Sequence, residues 1–78
     1  MDRVELFQRI EGKRISITTD NMELKTDRVF ISLDGELMWD DNRIYFNWDT
    51  IGDIREDEPN AFSFYDKGEQ VIITISKT

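Results

Sequence analysis

The chain has no cysteine and no histidine, and only one proline and four glycines among its 78 residues. Without thiols it can form neither a disulfide framework nor a thiolate metal site, which fits a reducing compartment. Without imidazole, the usual general base and the commonest transition-metal ligand are missing too. Ser16, Ser32, Ser63 and Ser76 lie mostly in strand-like stretches beside no candidate base. The glycines are isolated and build no phosphate-cradling loop. The nearest calcium-like run, "DIREDEP", lacks the alternating oxygen ligands and central glycine of a calcium loop. This inventory points away from an enzyme, a metal site and a cofactor. No apolar run approaches the roughly 20 residues needed to cross a bilayer. The opening "MDRVELFQRIEGKR" alternates charge with hydrophobicity and lacks the features of a signal peptide. A cytoplasmic protein without a membrane partner is expected, folded as a single domain over 1–78.

What the chain does have is acid. Its net charge is −7, and the excess is not spread evenly. Residues 1–33 carry six acids and six bases, whereas residues 34–66 carry ten acids against Arg43 and Arg55. The last twelve residues net +1, from Lys67 and Lys77 against Glu69. A field of this kind repels nucleic acid and membrane surfaces and attracts basic partners. A net charge of this size also serves solubility alone.

The periodicities predict an α+β, mostly β fold, with a short N-terminal helix packed on a curved antiparallel sheet or small open barrel of about five to six strands. Asp2 caps the helix, with Glu5 three residues on. Val4, Leu6, Phe7 and Ile10 form its apolar face, and Gly12 stops it. From Arg14 the period becomes two. Ile15 and Ile17 share a face, as do Val29, Ile31 and Leu33, with Thr26-Asp27 as a bulge or corner. "DGE" at 34–36 and Asp40-Asp41-Asn42 are turn signals. Ile44, Phe46 and Trp48 alternate inward, which makes Trp48 a core residue, while the phase of Trp39 stays open. "TIGDI" reads as a short strand or corner and "REDEPN" as a charged loop. The last two strands, "AFSFY" and "QVIITIS", bring Phe62 and Phe64 to Val71, Ile73 and Ile75. Phe30, Tyr45 and Ile72 fall on outward phases, so they either lie under the helix or form a homodimer contact.

The acids Asp34, Glu36, Asp40, Asp41, Asp49, Asp53, Glu56, Asp57 and Glu58 are the candidate partner-binding residues. Carboxylates two apart on a strand stand about 6.8 Å apart, with the next strand about 4.8 Å away. A DNA strand shows one charge per roughly 3.4 Å. A sheet edge bearing these acids therefore approaches DNA in charge density to within a few-fold. A patch of Arg9, Lys13, Arg14, Lys25 and Arg28 would instead be the sign of a nucleic-acid-binding module.

Two resemblances follow from these residues. The order of helix, "GKRISITT" and strands ending in "IYFNWDTIGDI" resembles the layout of Sm-like proteins and of YolD-like domains. That likeness implies a small barrel acting as a protein-interaction adaptor or nucleic-acid-binding module, although the second Sm signature, an Ile/Leu-Arg-Gly run, is absent. The size, the lack of cysteine and histidine, and the acidic middle "DGELMWDDNRIYFNWDTIGDIREDEP" resemble the small acidic bacteriophage-encoded DNA-mimic proteins. That second likeness implies an inhibitor in the host cytoplasm whose partner is a basic DNA-binding protein, for example an HU-like one, with no direct contact to nucleic acid.

Overall fold

The computed structural model describes all 78 residues. Helix α1 spans Arg3–Ile10 and is followed by strands β1 (Arg14–Thr19), β2 (Met22–Arg28), β3 (Phe30–Ile31), β4 (Leu37–Trp39) and β5 (Asn42–Ile44). A 3₁₀ turn at Trp48–Thr50 leads into β6 (Asp53–Glu58), β7 (Ala61–Tyr65) and β8 (Val71–Lys77). The fold is mostly β, with half of its residues in strands and one short N-terminal helix. The strand count differs from the sequence expectation. Eight strands form two antiparallel sheets, one of five strands in the order β2-β1-β8-β7-β6 and one of three in the order β3-β4-β5, and they do not close into a barrel.

The Asp2 cap of α1 forms as the sequence predicts, with the Glu5 N–H donating to Asp2 Oδ1 at 2.9 Å. Eight residues are too few for a stable isolated helix, so α1 depends on burying Leu6 and Ile10 against the sheets. Val4, expected on the same apolar face, is 61% exposed. Gly12 ends the helical segment at φ +76°, a conformation that costs any residue with a Cβ.

The Thr26-Asp27 bulge is present. Arg14 pairs with Arg28 and Ser16 with Lys25, which leaves one extra residue in β2. Thr26 stabilises the bulge from inside: its hydroxyl accepts from the Ile15 N–H at 3.2 Å and donates to the Asp27 carbonyl at 2.6 Å. The segment "REDEPN" is largely strand rather than loop. Ile54 is buried against Phe64, and this one anchor holds five charged neighbours in β6 at the sheet edge, where half-solvated charge is tolerated. Pro59 and Asn60 then make the turn into β7.

Twelve apolar residues form one core shared by the helix and both sheets, including Leu6, Ile10, Ile17, Trp39, Phe46, Phe62, Phe64 and Ile75. Burying each large side chain contributes about 1.5–3 kcal/mol. Trp39, whose phase the sequence leaves open, faces inward. Two other apolar expectations are corrected. Leu33 does not share the buried face of Val29 but is fully exposed after the chain leaves β3. Val71 is exposed because the register of β7 and β8 shifts between Phe64 and Tyr65. The inward alternation of Ile44, Phe46 and Trp48 holds past the end of β5: Phe46 is buried, Ile44 and Trp48 pack half-buried against the core, and Tyr45 and Asn47 are exposed.

Candidate functional site

The nine candidate acids fall on three parts of the fold. Asp34 and Glu36 belong to the β3–β4 hairpin, and Asp40 and Asp41 form the two-residue turn between Trp39 and Asn42. Asp40 adopts φ +49°, which Asp tolerates better than most residues. Asp49 lies in the 3₁₀ turn, where its N–H donates to Asn47 Oδ1 at 3.2 Å. Asp53, Glu56, Asp57 and Glu58 lie on β6, an edge of the larger sheet. No three acidic side chains converge in a group that could hold a metal ion.

Cations of the protein itself engage three of the nine. Glu56 receives both Nη groups of Arg9, at 3.1 and 2.7 Å, and accepts the Asn60 N–H at 3.0 Å. The Arg9 hydrogen bonds, with the Asn60 N–H second, hold its carboxyl below the usual range. Asp53 is bonded by Arg55 Nε at 2.7 Å, and this contact depresses its pKa in the same way. Glu36 lies 3.3 Å from Arg43 Nη1. The other six form no ion pair: Asp34, Asp40, Asp41, Asp49, Asp57 and Glu58. Asp57 is the extra residue of a second bulge, between Glu56 and Glu58, and accepts the Tyr65 hydroxyl at 2.6 Å. That bond stabilises the protonated phenol and raises the Tyr65 pKa, with burial adding to the effect. The Arg55 guanidinium lies over the same ring, 4.2 Å from its centroid.

An aromatic cluster surrounds Trp48, the residue before Asp49. Trp48 packs edge-on to Phe7 at 5.8 Å between centroids and lies 5.4 Å from Phe46 and 5.9 Å from Phe64. Arg3 covers its outer face, with the guanidinium carbon 5.3 Å from the ring centre. The two tryptophans are therefore structural, and the aspartates beside them lie in the turns that follow. Phe30 and Tyr45 are exposed, as expected from their phase, and both lie on or just beyond the small sheet. Ile72 instead packs against the core. A separate groove of about 240 Å³ runs between α1 and the β3–β4 hairpin and includes Val4, Phe7, Ile31 and Leu33.

The basic candidates divide. Lys13, Arg14 and Arg28 line one groove of about 520 Å³. Arg9 is turned to Glu56, and Lys25 lies on the outer strand β2 away from that lining. Lys77 completes the groove and was not among the sequence candidates. No local signal marks it, because only the pairing of β8 with β1, which sets Lys77 opposite Ile15, brings it there.

No helix of the protein is long and apolar enough to cross a membrane. No family model, curated protein or solved structure matches the chain.

Proposed function

We propose that the protein is a non-enzymatic, cytoplasmic inhibitor that binds a basic DNA-binding protein, of the HU kind, through its acidic surface and so blocks access to DNA. The observation that carries this reading is the set of six carboxylates that form no ion pair within the protein. Their charge is available to a partner without first breaking an internal pair, a step that would cost desolvation and geometry. The aromatic cluster behind Asp49 and the β6 edge stiffens that surface, which lowers the entropy lost on binding.

The test is displacement of labelled duplex DNA from a purified HU-type protein. The chain should release the DNA, and the effect should weaken steeply with salt. The triple variant Asp41→Lys, Asp49→Lys, Glu58→Lys should lose about tenfold or more in affinity, roughly 1.4 kcal/mol. A control carrying Asp20→Lys and Glu23→Lys, outside the nine, should keep it. Equal displacement by the triple variant and the parent would remove this surface from the account.

A second reading rests on the groove between α1 and the β3–β4 hairpin, where Leu33 is 107% exposed. An adaptor binding there would hold its partner at high salt and lose it on Leu33→Asp.

A further inference from the structure

At one end of the five-stranded sheet, three separate chain segments bring positive charge together. Arg14 opens β1 and Arg28 closes β2, and the two are direct cross-strand partners. Like charges directly opposite on a sheet destabilise it. Lys77 ends β8 alongside; its N–H donates to the Asn60 carbonyl at 2.9 Å, and the Thr78 N–H donates to the Arg14 carbonyl at 3.0 Å. Lys13 precedes β1 and its carbonyl accepts the Val29 N–H at 3.0 Å. The resulting open groove, about 520 Å³, has four basic side chains in its lining and neither an acidic nor an apolar one.

The lining, rather than the pairing, sets this groove apart. Outside it, Arg9, Arg43 and Arg55 each find a carboxylate, while Arg3, Lys25 and Lys67 do not. Lys13, Arg28 and Lys77 find none. Arg14 gives its Nε to Asp27 at 3.1 Å, which leaves its Nη donors free of ion pairs. Asp27 is itself held by the Arg28 N–H at 2.8 Å and lies outside the groove lining. Asp27 relieves part of the mutual repulsion among these cations, and an anion in the groove would relieve more.

We infer that this groove binds a small phosphate-bearing ligand. Two guanidinium groups offer forked donors that match phosphate oxygens, and two ammonium groups add compact charge. The side-chain amide of Asn60 is a further donor in the lining. The volume falls within the roughly 300–1,000 Å³ of small-ligand sites. With no aromatic in the lining there is no platform on which a nucleobase would stack. A long polyanion would also run out over a surface of net negative charge, whereas charges beyond a Debye length of about 8 Å hardly affect a compact ligand. Pyrophosphate is therefore the fitting probe. The site shares no residue with the nine acids and goes beyond the inhibitor reading, so either can fail without the other.

The experiment is a titration of the full ¹⁵N-labelled chain with pyrophosphate, followed by amide NMR shifts. Saturable shifts confined to Gly12–Arg14, Arg28, Asn60 and Lys77 are expected. The Lys13→Gln, Arg28→Gln double variant should bind at least about tenfold more weakly, as should the milder Lys77→Gln if the double variant loses its dispersed spectrum. Lys25→Gln, on the same sheet but outside the groove, should change affinity less than about twofold. No saturable shift at about 10 mM pyrophosphate, or shifts indifferent to all the groove variants, would overturn the site. Sulfate binding as tightly as pyrophosphate would overturn the phosphate assignment. A single strand of about ten nucleotides binding more than tenfold tighter than pyrophosphate would overturn the small ligand in favour of a phosphodiester backbone.

Discussion

Where β6 begins, Arg55 lies over the Tyr65 ring, bonded to Asp53 at 2.7 Å and 3.6 Å from Glu69. At the opposite end of the same sheet, Lys13, Arg28 and Lys77 share a groove with no acidic side chain in it. Both ends are open hollows without apolar lining, of about 360 and 520 Å³. The first mixes Asp53, Asp66 and Glu69 with Arg55 and Lys67, so its charges are largely spent on one another. In the second only Arg14 finds a carboxylate, Asp27, and the other three cations form no ion pair. The difference separates charge that supports the fold from charge held ready for something else, and the same distinction divides the acids. Glu36, Asp53 and Glu56 serve the structure through their arginines, while Asp34, Asp40, Asp41, Asp49, Asp57 and Glu58 form no ion pair.

The comparison breaks altogether if the common core is removed. Phe64→Ala empties a fully buried site beside Phe46 and Trp48 and should cost about 3–5 kcal/mol, abolishing both ends together in urea unfolding and in binding. A smaller effect comes from Gly12→Ala, since the left-handed backbone there costs a residue with a Cβ about 1–2 kcal/mol. Open space around that position means the loss is conformational, to be read in urea unfolding. Arg55→Gln sharpens the contrast at the mixed end. Its hydrogen bond is the main reason the Asp53 pKa is depressed, so the stabilisation is present above the unfolded value near 3.9 and fades as the pH falls through the folded one. The variant should melt a few degrees lower at neutral pH, and its gap from the parent should close below about pH 4 in a pH series of thermal melts. The smallest effect belongs to Lys67→Gln. It removes a cation with no ion pair at the mixed end, and it should shift stability by less than about 0.5 kcal/mol and leave pyrophosphate affinity unchanged.

The helix with its Asp2 cap, strands β1, β7 and β8, and the bulge at Thr26-Asp27 were legible because each rests on neighbours a few residues apart. The three-stranded sheet was less so. Strands of two or three residues, such as Phe30–Ile31 and Asn42–Ile44, are too short to show a period. Strand β6 was hidden because five charged residues around a single Ile54 look like a loop, and only its place at the sheet edge lets them be strand. At the site, the segregation of acid into residues 34–66 was plain from the sequence. Which of those acids are neutralised was not, since Glu56 finds its arginine 47 residues away.

The sequence by itself determined a mostly β chain with a capped N-terminal helix, two aromatic-rich inner faces and one strongly acidic third, because capping, period and charge density are properties of short stretches. The tertiary structure decided the rest. Strand order placed β6 at an edge, register set Arg14 against Arg28 and Lys77 beside Ile15, and together they settled which charges meet. Coulomb interactions depend on distance in space, and only strand pairing converts separation along the chain into that distance.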